Sequence, residues 1–183
     1  MATTHGDPAP SPPIVRDATV ADMAEVSALV NALVDTTTVA WTEEHEPVER
    51  RVEWWHAQQA AGDPVLVAEV DGHVVGVASY GDFRDSTKWP GYRFTAEHSV
   101  HVREDHWGTG VGRALMEELV RRARAAGLHA LVGAVDGSNG SSIRFHERLG
   151  FVVVGRLPQV GRKFDRWLDL VLVELVLDPA DGR

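Results

Sequence analysis

The sequence contains no cysteine in its 183 residues. Disulfide bonds, thiolate nucleophiles and thiolate zinc sites are therefore excluded. Basic residues are also few, because 18 Lys and Arg face 27 Asp and Glu and leave a formal net charge of −9. Non-specific binding to nucleic acid depends on basic side chains that neutralise phosphates. The charge balance therefore argues against a nucleic-acid partner.

Long apolar runs are missing as well. No stretch approaches the roughly 20 apolar residues that a membrane-spanning helix needs, so we expect no membrane partner. Residues 1–13 are rich in proline and lack the apolar core of a signal peptide, and we expect them to form a flexible tail. Residues 14–178 have the size of a single domain. A cytoplasmic location is the default expectation.

Hydrophobic periodicity predicts the element order β-α-α-β-β-β-α-β-α-β-β. Pro47 indicates the start of the second helix, and Asp71-Gly72 between two strand-like runs predicts a hairpin. Residues 158–166 are expected to form a polar connector. Ser141 or Ser142 is expected to cap the last helix. The predicted class is α+β (mixed α/β), a mixed sheet with helices packed on it.

One stretch, residues 97–116, organises the chain. A strand over residues 97–102 leads into a glycine turn and then directly into a helix. Gly108, Gly110 and Gly112 leave the backbone open to a ligand because they lack Cβ atoms. The N–H groups of the first helical turn have no partners inside the helix, and the helix dipole is positive there. The stretch therefore predicts a phosphate site, although it is neither a Walker A motif nor a good dinucleotide fingerprint.

The glycine turn resembles the GNAT superfamily of acetyl-CoA-dependent N-acetyltransferases when it is taken with Asn139 and the later run Arg144-Phe145-His146-Glu147-Arg148-Leu149-Gly150-Phe151. Residues 79–84, 91–100 and 160–169 are similar to the phosphinothricin / methionine sulfoximine acetyltransferase branch of that superfamily. The resemblance covers nearly all of the chain after the tail. It implies a GNAT acyl-CoA N-acyltransferase fold, with a mostly antiparallel mixed sheet in which strands 4 and 5 splay apart.

The resemblance also implies where acetyl-CoA would bind. The pantetheine amides would pair with backbone groups around Val100 and Val102 in the gap between the splayed strands. The pyrophosphate would lie on the amides of residues 108–112. The implied cofactor-binding residues are Val100, His101, Val102, Trp107, Gly108, Thr109, Gly110, Val111, Gly112, Arg113, Asn139, Ser142 and Phe145.

Trp107 departs from the family pattern, which places Arg or Gln at this position. A side chain that could bind the phosphates is therefore missing, and we expect weaker or differently arranged cofactor contacts rather than a lost site. Arg113, at the start of the following helix, either substitutes in part or is a solvated helix residue. The sequence leaves both interpretations open.

Glu97 and His146 are the candidate catalytic residues. Attack on a thioester needs a neutral amine, and a carboxylate at a strand end can take the proton from an ammonium group. The resemblance places the glutamate of this branch at Glu97; the alternative is an ordinary strand carboxylate. His146 stands where many GNAT enzymes have a tyrosine that protonates the CoA thiolate. It is either a general acid or a histidine that only packs against the cofactor.

The acceptor is expected to be a small amino acid with a polar head. Arg84 and Arg93 would hold a carboxylate through their guanidinium groups, and Trp41 would cover the aliphatic part unless it is a core or interface aromatic. The predicted acceptor-contacting residues are Trp41, Phe83, Arg84, Tyr92, Arg93, Glu97, Lys163 and Trp167. The resemblance implies a homodimer, in which Lys163 and Trp167 close the site from a neighbouring subunit.

A metal site is not expected, because His98, His101 and His106 are spaced so that they do not converge on one point. The predicted function is transfer of the acetyl group of acetyl-CoA to the α-amine of a free amino acid or analogue, by direct attack in a ternary complex. Two alternatives stay open: acetylation of a protein N-terminus or another small amine, and a non-catalytic CoA-binding sensor.

Overall fold

Seven strands and four α-helices make up residues 12–177, the part of the chain that the computed structural model describes. Residues 1–11 of the expected tail and Asp178, the last residue of the expected domain, lie outside this part. The strands are β1 (Ile14–Asp17), β2 (Val65–Val70), β3 (His73–Asp82), β4 (Thr95–Val102), β5 (Ala130–Asp136), β6 (Val152–Lys163) and β7 (Arg166–Val176). The helices are α1 (Met23–Thr36), α2 (Val48–Ala61), α3 (Val111–Ala125) and α4 (Gly140–Arg148).

The strands form a single mixed sheet in the order β1-β2-β3-β4-β5-β7-β6. Every neighbouring pair is antiparallel except β4 and β5, which run parallel. The predicted class and element order are confirmed. β4 pairs with β5 only from Thr95 opposite Ala130 to His98 opposite Gly133. Beyond this point the two strands diverge, which confirms the predicted splay and opens a gap in the middle of the sheet.

Helices cover both faces of the sheet, and strand β2 accordingly carries apolar side chains on both of its faces. Leu66 and Ala68 join the core under α3, whereas Val65 and Val67 join the core under α1. Side chains alternate between the two faces of a strand, so a strand buried on both faces reads as a continuous apolar run. None of the described helices is both long enough and apolar enough to span a membrane.

The predicted connector over residues 158–166 is wrong. β6 continues through this region to Lys163 and pairs antiparallel with β7, with an irregular register between Leu157 and Gly161. β6 is an edge strand, so the missing N–H group of Pro158 breaks no ladder in the sheet interior. The turn itself is Phe164-Asp165, and both residues have positive φ angles, 50° and 55°.

The predicted cap of α4 is also wrong. The N-cap residue is Asn139, whose side-chain Oδ1 accepts a hydrogen bond from the backbone N–H of Ser142 at 3.0 Å. Asparagine is among the preferred N-cap residues because its side chain satisfies an otherwise unpaired amide of the first turn. Ser141 instead donates its hydroxyl to the same Oδ1 atom at 2.7 Å.

Candidate active site

The gap between β4 and β5 exposes backbone groups of β4. The Arg103 N–H donates to the Val75 carbonyl of β3 at 2.9 Å. Backbone groups of alternate residues point to opposite sides of a strand, so Val100 and Val102 direct theirs away from β3 and into the gap. These are the residues that the sequence predicts to pair with a pantetheine chain, and the structure gives them an open edge.

Trp107 closes the far end of this edge. Its indole Nε1 donates to the carbonyl oxygen of Val102 at 2.7 Å. The only donor of the side chain is therefore engaged, and it offers none to a phosphate. The ring itself remains 54% exposed and lines the groove beside α3. Trp107 thus takes the place of a phosphate-binding side chain with an apolar surface and fixes the end of β4.

The glycine turn brings the start of α3 to the same groove. Gly108 and Gly110 have φ angles of 77° and 97°, which favour glycine because other residues pay a steric cost there. Gly110 is the N-cap and donates no side chain to the helix start. A Cβ atom at Gly112 would lie 3.4 Å from Cζ of Phe145. The missing side chains leave the first amides of α3 accessible beside the Phe145 ring.

The neighbouring side chains of the turn point elsewhere. Thr109 donates its hydroxyl to the His106 carbonyl at 2.7 Å, and Val111 is buried in the core with 2% exposure. Nε of Arg113 pairs with Oε1 of Glu117 at 2.7 Å on the exposed face of α3. Arg113 is therefore placed as a solvated helix residue, and the second arginine of the region, Arg148, lines the groove instead.

Two cavities meet at the gap, each of about 400 Å³. The first, here called the donor groove, is lined by Val100, His101, Val102, His106, Trp107, Gly108, Gly112, Asn139, Ser141, Ser142, Phe145 and Arg148, with Leu33 and Val39. The second, here called the acceptor cavity, is lined by residues 38–41, 97–101 and 134–136 with Asn139, Ser142, His146 and Leu170. Five residues line both, so the two spaces are continuous at Val39, Val100, His101, Asn139 and Ser142.

Glu97 lies in the acceptor cavity as the third residue of β4. Its register partners are Gly81 on β3 and Val132 on β5. Neither partner carries a charge that could form an ion pair with the carboxyl group. The side chain is accessible from the cavity, yet the surrounding protein removes part of its hydration. This burial raises the pKa of Glu97 above that of an ordinary glutamate. A carboxylate with a raised pKa is a better proton acceptor.

His146 lies at the bottom of the same cavity with 3% exposure. Its Nδ1 is 2.7 Å from the carbonyl oxygen of Ser142. A carbonyl only accepts, so Nδ1 carries the proton, and in the neutral ring Nε2 is a bare acceptor. Burial lowers the pKa of His146, although the Ser142 carbonyl opposes the shift. In the neutral ring Nε2 can therefore accept but not donate a hydrogen bond, and this buried atom has no partner among residues 12–177.

His98 stacks against His146 at a ring-centroid distance of 5.2 Å. Burial, with a smaller contribution from His146, lowers the pKa of His98 to about 3, so this ring is neutral. A Cβ atom at Gly133 would lie 2.6 Å from Nε2 of His98. Gly133 is the last residue of β5 that pairs with β4, and its missing side chain makes room for the imidazole. Neither ring nitrogen of His98 has a hydrogen-bond partner among residues 12–177.

Residues 37–47 connect α1 to α2, and residues 38–41 of this connection form a wall of the cavity that holds Glu97. Trp41 lies in this wall and donates its indole N–H to the Thr38 carbonyl at 3.1 Å. Thr38 in turn donates its hydroxyl to Asp136 at the end of β5. Burial raises the pKa of Asp136, but hydrogen bonds from Thr38 and Ser138 outweigh it and leave the pKa low.

Sequence reasoning missed both Asp136 and Thr38. The position of Asp136, directly after the parallel strand β5, is the signal that could have identified it, because polar residues at this edge commonly serve a site. No local pattern marks Thr38, whose partner is 98 residues away along the chain.

Lys163 does not line the acceptor cavity. The side chain is 1% exposed, and its Nζ donates to the carbonyl oxygens of Val34, Thr37 and Ala40 at 2.7, 2.7 and 2.8 Å. These carbonyls belong to the same chain, and they use all three N–H groups of the ammonium. The expected contact of Lys163 with the acceptor across a subunit boundary is therefore corrected to a contact with its own α1–α2 connection.

The remaining predicted acceptor residues lie outside the acceptor cavity. The Phe83 and Tyr92 rings meet edge to face at 5.9 Å, and the Arg84 guanidinium lies 5.8 and 5.9 Å from them. Arg93 lies 4.3 Å from the Phe94 ring and donates to the Pro90 carbonyl. This cluster begins directly after β3, whose residue Gly81 is opposite Glu97. It is therefore at the same end of the sheet as Glu97.

Trp167 is 62% exposed on β7 and is not among the residues that line the acceptor cavity. Across residues 12–177, no three His, Asp or Glu side chains come together in a group that could hold a metal ion. His101 is buried beside Arg51, and this burial with the nearby positive charge lowers its pKa to about 4. Burial thus lowers the pKa of His98, His101 and His146 and favours the neutral ring at each of these three positions.

The sequence and the fold were compared with those of known proteins. The sequence model of the acetyltransferase (GNAT) family matches residues 26–151. An L-methionine sulfoximine/L-methionine sulfone acetyltransferase from Pseudomonas paraeruginosa is 47% identical over 167 residues, which cover 91% of this chain and 95% of that protein. A phosphinothricin N-acetyltransferase from Streptomyces viridochromogenes is 34% identical over 158 residues, 85% of this chain and 83% of that protein. The solved structure of a putative acetyltransferase from Salmonella typhimurium with its cofactor acetyl-CoA superimposes with a TM-score of 0.87 at 41% identity, covering 93% of this chain and 96% of that one.

Proposed function

Because the chain belongs to the acetyltransferase (GNAT) family, we propose that it moves the acetyl group of acetyl-CoA to the α-amine of a free amino acid or analogue of the methionine sulfoximine or phosphinothricin type. The observation that carries this proposal is the continuity of the two cavities. A groove bordered by the amides of α3 opens into a space that holds Glu97 and Trp41. Donor and acceptor would therefore meet at Val100 and His101.

The residues of the donor groove fit acetyl-CoA. The glycine turn presents unpaired amides to the pyrophosphate, since Gly110 and Gly112 place no Cβ atom over them. The open edge of β4 offers backbone groups of Val100 to the pantetheine amides, and Trp107 occupies the carbonyl of Val102. When bound, acetyl-CoA supplies an activated thioester.

Glu97 is the proposed general base. It takes a proton from the acceptor ammonium, directly or through a water, and frees the nitrogen lone pair. The new N–C bond forms as the C–S bond breaks, the sulfur leaves as a thiolate, and the nitrogen loses its second proton to the departing thiolate or to water to give the neutral amide. Backbone amides of β4 at the gap stabilise the oxyanion that develops on the carbonyl oxygen. The acetyl group passes directly between the two substrates in this scheme, with no acetyl-enzyme.

His146 is proposed to accept a hydrogen bond in the cavity rather than to act as the general acid. Its Nδ1 proton is committed to the Ser142 carbonyl, and only the imidazolium form could donate from Nε2. Burial disfavours that form at neutral pH. A thiolate is a tolerable leaving group without protonation, so the scheme does not require a proton donor at this place.

The names of the relatives support the acceptor class. The relative from Pseudomonas paraeruginosa is named for methionine sulfoximine and methionine sulfone, and the one from Streptomyces viridochromogenes for phosphinothricin. These compounds are amino acids with a short aliphatic side chain that ends in a tetrahedral polar head. In this chain the Trp41 ring would cover the aliphatic part beside Glu97. Arg84 and Arg93 are proposed to bind a negatively charged group at the same end of the sheet.

An assay of CoA release with three sets of acceptors tests the function. We expect turnover with L-methionine sulfoximine, L-methionine sulfone and phosphinothricin, and little with a peptide that carries a free N-terminus. Turnover of the peptide alone would instead support acetylation of protein N-termini. Binding of acetyl-CoA by calorimetry without turnover of any amine would support the CoA-binding sensor. Mass spectrometry of the product locates the acetyl group on the α-amine.

A homodimer is the proposed assembly. Val152, Val153 and Val154 of the edge strand β6 are 58%, 45% and 52% exposed. Edge strands with exposed apolar residues pair readily with another chain. A second copy of this chain is proposed to cover the strand.

A further inference from the structure

Both end residues of the strand segment Gly161–Lys163 contact the connection between α1 and α2. Through its buried ammonium group, Lys163 binds the carbonyl of Val34 in the last turn of α1 and the carbonyls of Thr37 and Ala40 in this connection. Gly161, two residues earlier, lies directly under the Trp41 ring: a Cβ atom there would overlap Cε3 and Cζ3 of the indole. The backbone φ of Gly161 is not positive, so the glycine is needed for the close approach of the ring and not for the backbone conformation.

The bonds of Lys163 hold the point where α1 ends. Carbonyl groups of the last helical turn have no partners inside the helix, and a positive charge is favourable there. Val34 belongs to this turn, and Thr37 and Ala40 follow it. One ammonium therefore anchors the seven-residue segment from Val34 to Ala40, which leads to Trp41, at three of its carbonyl groups. Burial lowers the pKa of Lys163, whereas the nearby carboxylates of Glu43 and Asp35 favour its charged form, and the Phe164 ring lies 4.7 Å from Nζ.

The other anchors act on the same connection. Asp136 holds Thr38 from the β5 side, and the Phe164 N–H donates to Oε1 of Glu43 at 2.9 Å. Trp41 is thus fixed between β5 and the β6–β7 hairpin, with its ring in the acceptor cavity opposite Glu97. The connection has little regular structure of its own, so its position in the cavity depends on these contacts.

We propose that Gly161 and Lys163 are positioning residues that set the distance between the Trp41 ring and Glu97, and so select the acceptor by the length of its side chain. This inference rests on the proposed acetyl transfer to free amino acids. Neither residue touches the acceptor. Lys163 holds the backbone on which Trp41 is carried, and Gly161 sets how deeply the ring is seated.

The test compares acceptor selectivity in Lys163→Met and Gly161→Ala. Methionine keeps an unbranched chain but removes the three N–H donors, and alanine pushes the ring away from β6. We expect both variants to change the ratio of kcat/KM for L-methionine sulfone and L-alanine by about tenfold or more, the range that pocket shape gives for small differences in an apolar side chain. The change should come from KM for the acceptor, whereas the Kd of acetyl-CoA by calorimetry should stay within about twofold of wild type.

Arg162→Met is the matched control. Arg162 lies between the two residues, its side chain is exposed, and it pairs with Asp165 on the surface. The substitution Arg162→Met removes a positive charge from the same strand, as Lys163→Met does, and we expect it to keep the acceptor selectivity of wild type. In a Trp41→Leu background, Lys163→Met and Gly161→Ala should no longer alter selectivity, because they act through the ring.

The outcomes separate the two levels of the proposal. If wild type acetylates no amino acid of the panel, the proposed function fails. If wild type is active and Gly161→Ala keeps wild-type selectivity, the positioning role is overturned. The same holds if Lys163→Met loses acetyl-CoA affinity and acceptor turnover together. Should Lys163→Met fail to fold, Gly161→Ala decides the matter alone, since it leaves the ammonium and its three bonds in place.

Discussion

Nδ1 of His146 donates to the carbonyl oxygen of Ser142, one turn earlier in α4, at 2.7 Å. This bond fixes the tautomer of a histidine that lines the acceptor cavity, and it leaves Nε2 as an acceptor. Neutral His146 cannot protonate the leaving thiolate from that atom. The contact between two residues of one helix therefore supports the proposal that His146 is not the general acid.

Replacement of His146 should have a modest effect. For His146→Phe we expect kcat to fall less than about tenfold, whereas loss of a general acid typically costs about 10² to 10⁴. The pH profile of kcat should keep the same alkaline side as wild type. Steady-state kinetics from pH 6 to 9 check this. A loss above about 10² together with a vanished alkaline limb would restore the general-acid role.

Glu97→Gln should abolish most of the turnover. Glutamine keeps the size of the side chain but cannot accept the proton of the ammonium, so we expect kcat to fall by about 10² to 10⁴ while the Kd of acetyl-CoA is unchanged. The remaining rate should rise with pH, because a growing fraction of the free amine is already neutral. A variant that binds acetyl-CoA and turns over as well as wild type at pH 7 would exclude Glu97 as the base.

The raised pKa of Glu97 gives a further pH dependence. The acid limb of kcat/KM in wild type should lie above the usual glutamate range, and it should be missing in Glu97→Gln. The raised pKa also affects the stability of the folded state. Between the unfolded and the raised folded pKa, the folded state binds more protons, so the contribution of Glu97 to stability is lost as pH rises through this window. Glu97→Gln should therefore be at least as stable as wild type at pH 7 in thermal unfolding.

Trp107→Arg should tighten the binding of acetyl-CoA. A guanidinium at this place would reach the phosphates, and a charge-assisted hydrogen bond contributes about 1.5–3 kcal/mol against about 1 kcal/mol for the indole bond to Val102 that is lost. We expect Kd to fall about three- to tenfold, with a steeper dependence on salt. Calorimetry at two salt concentrations measures both. Trp89→Arg is the control, because it adds the same charge at another exposed tryptophan; an equal gain there would mean that only net charge matters.

The predicted parts of the fold are those that local sequence determines. The stretch from β4 through the glycine turn to α3 follows from strand alternation, three glycines and helical spacing within residues 97–116. The class and the element order are confirmed for this reason, whereas the splay of β4 from β5, also confirmed, is implied by the family resemblance. The departure at Trp107 was also visible in the sequence, but its bond to Val102 was not.

The rest depends on pairing across long distances along the chain. Lys163 meets Val34, Thr37 and Ala40 from 129, 126 and 123 residues away, and no local pattern marks a lysine for such a role. The residues between Leu157 and Lys163 do not alternate like a strand, yet β7 resumes the pairing at Gly161 and Arg162 and keeps the segment in the sheet. Tertiary pairing overrides local propensity there.

The exposed edge of β6 predicts a dimer that one substitution disrupts. Val152, Val153 and Val154 are consecutive and all exposed, so both faces of the strand lack cover, since successive side chains point to opposite faces. Wild type should elute as a dimer in size-exclusion chromatography with light scattering at about micromolar concentration. Val153→Lys should shift the equilibrium to monomer, because a charge on an edge strand opposes pairing. Val48→Lys on α2 places the same charge at another exposed valine and should remain dimeric. A monomeric wild type, or a dimer that survives Val153→Lys unchanged, would assign the contact to another surface.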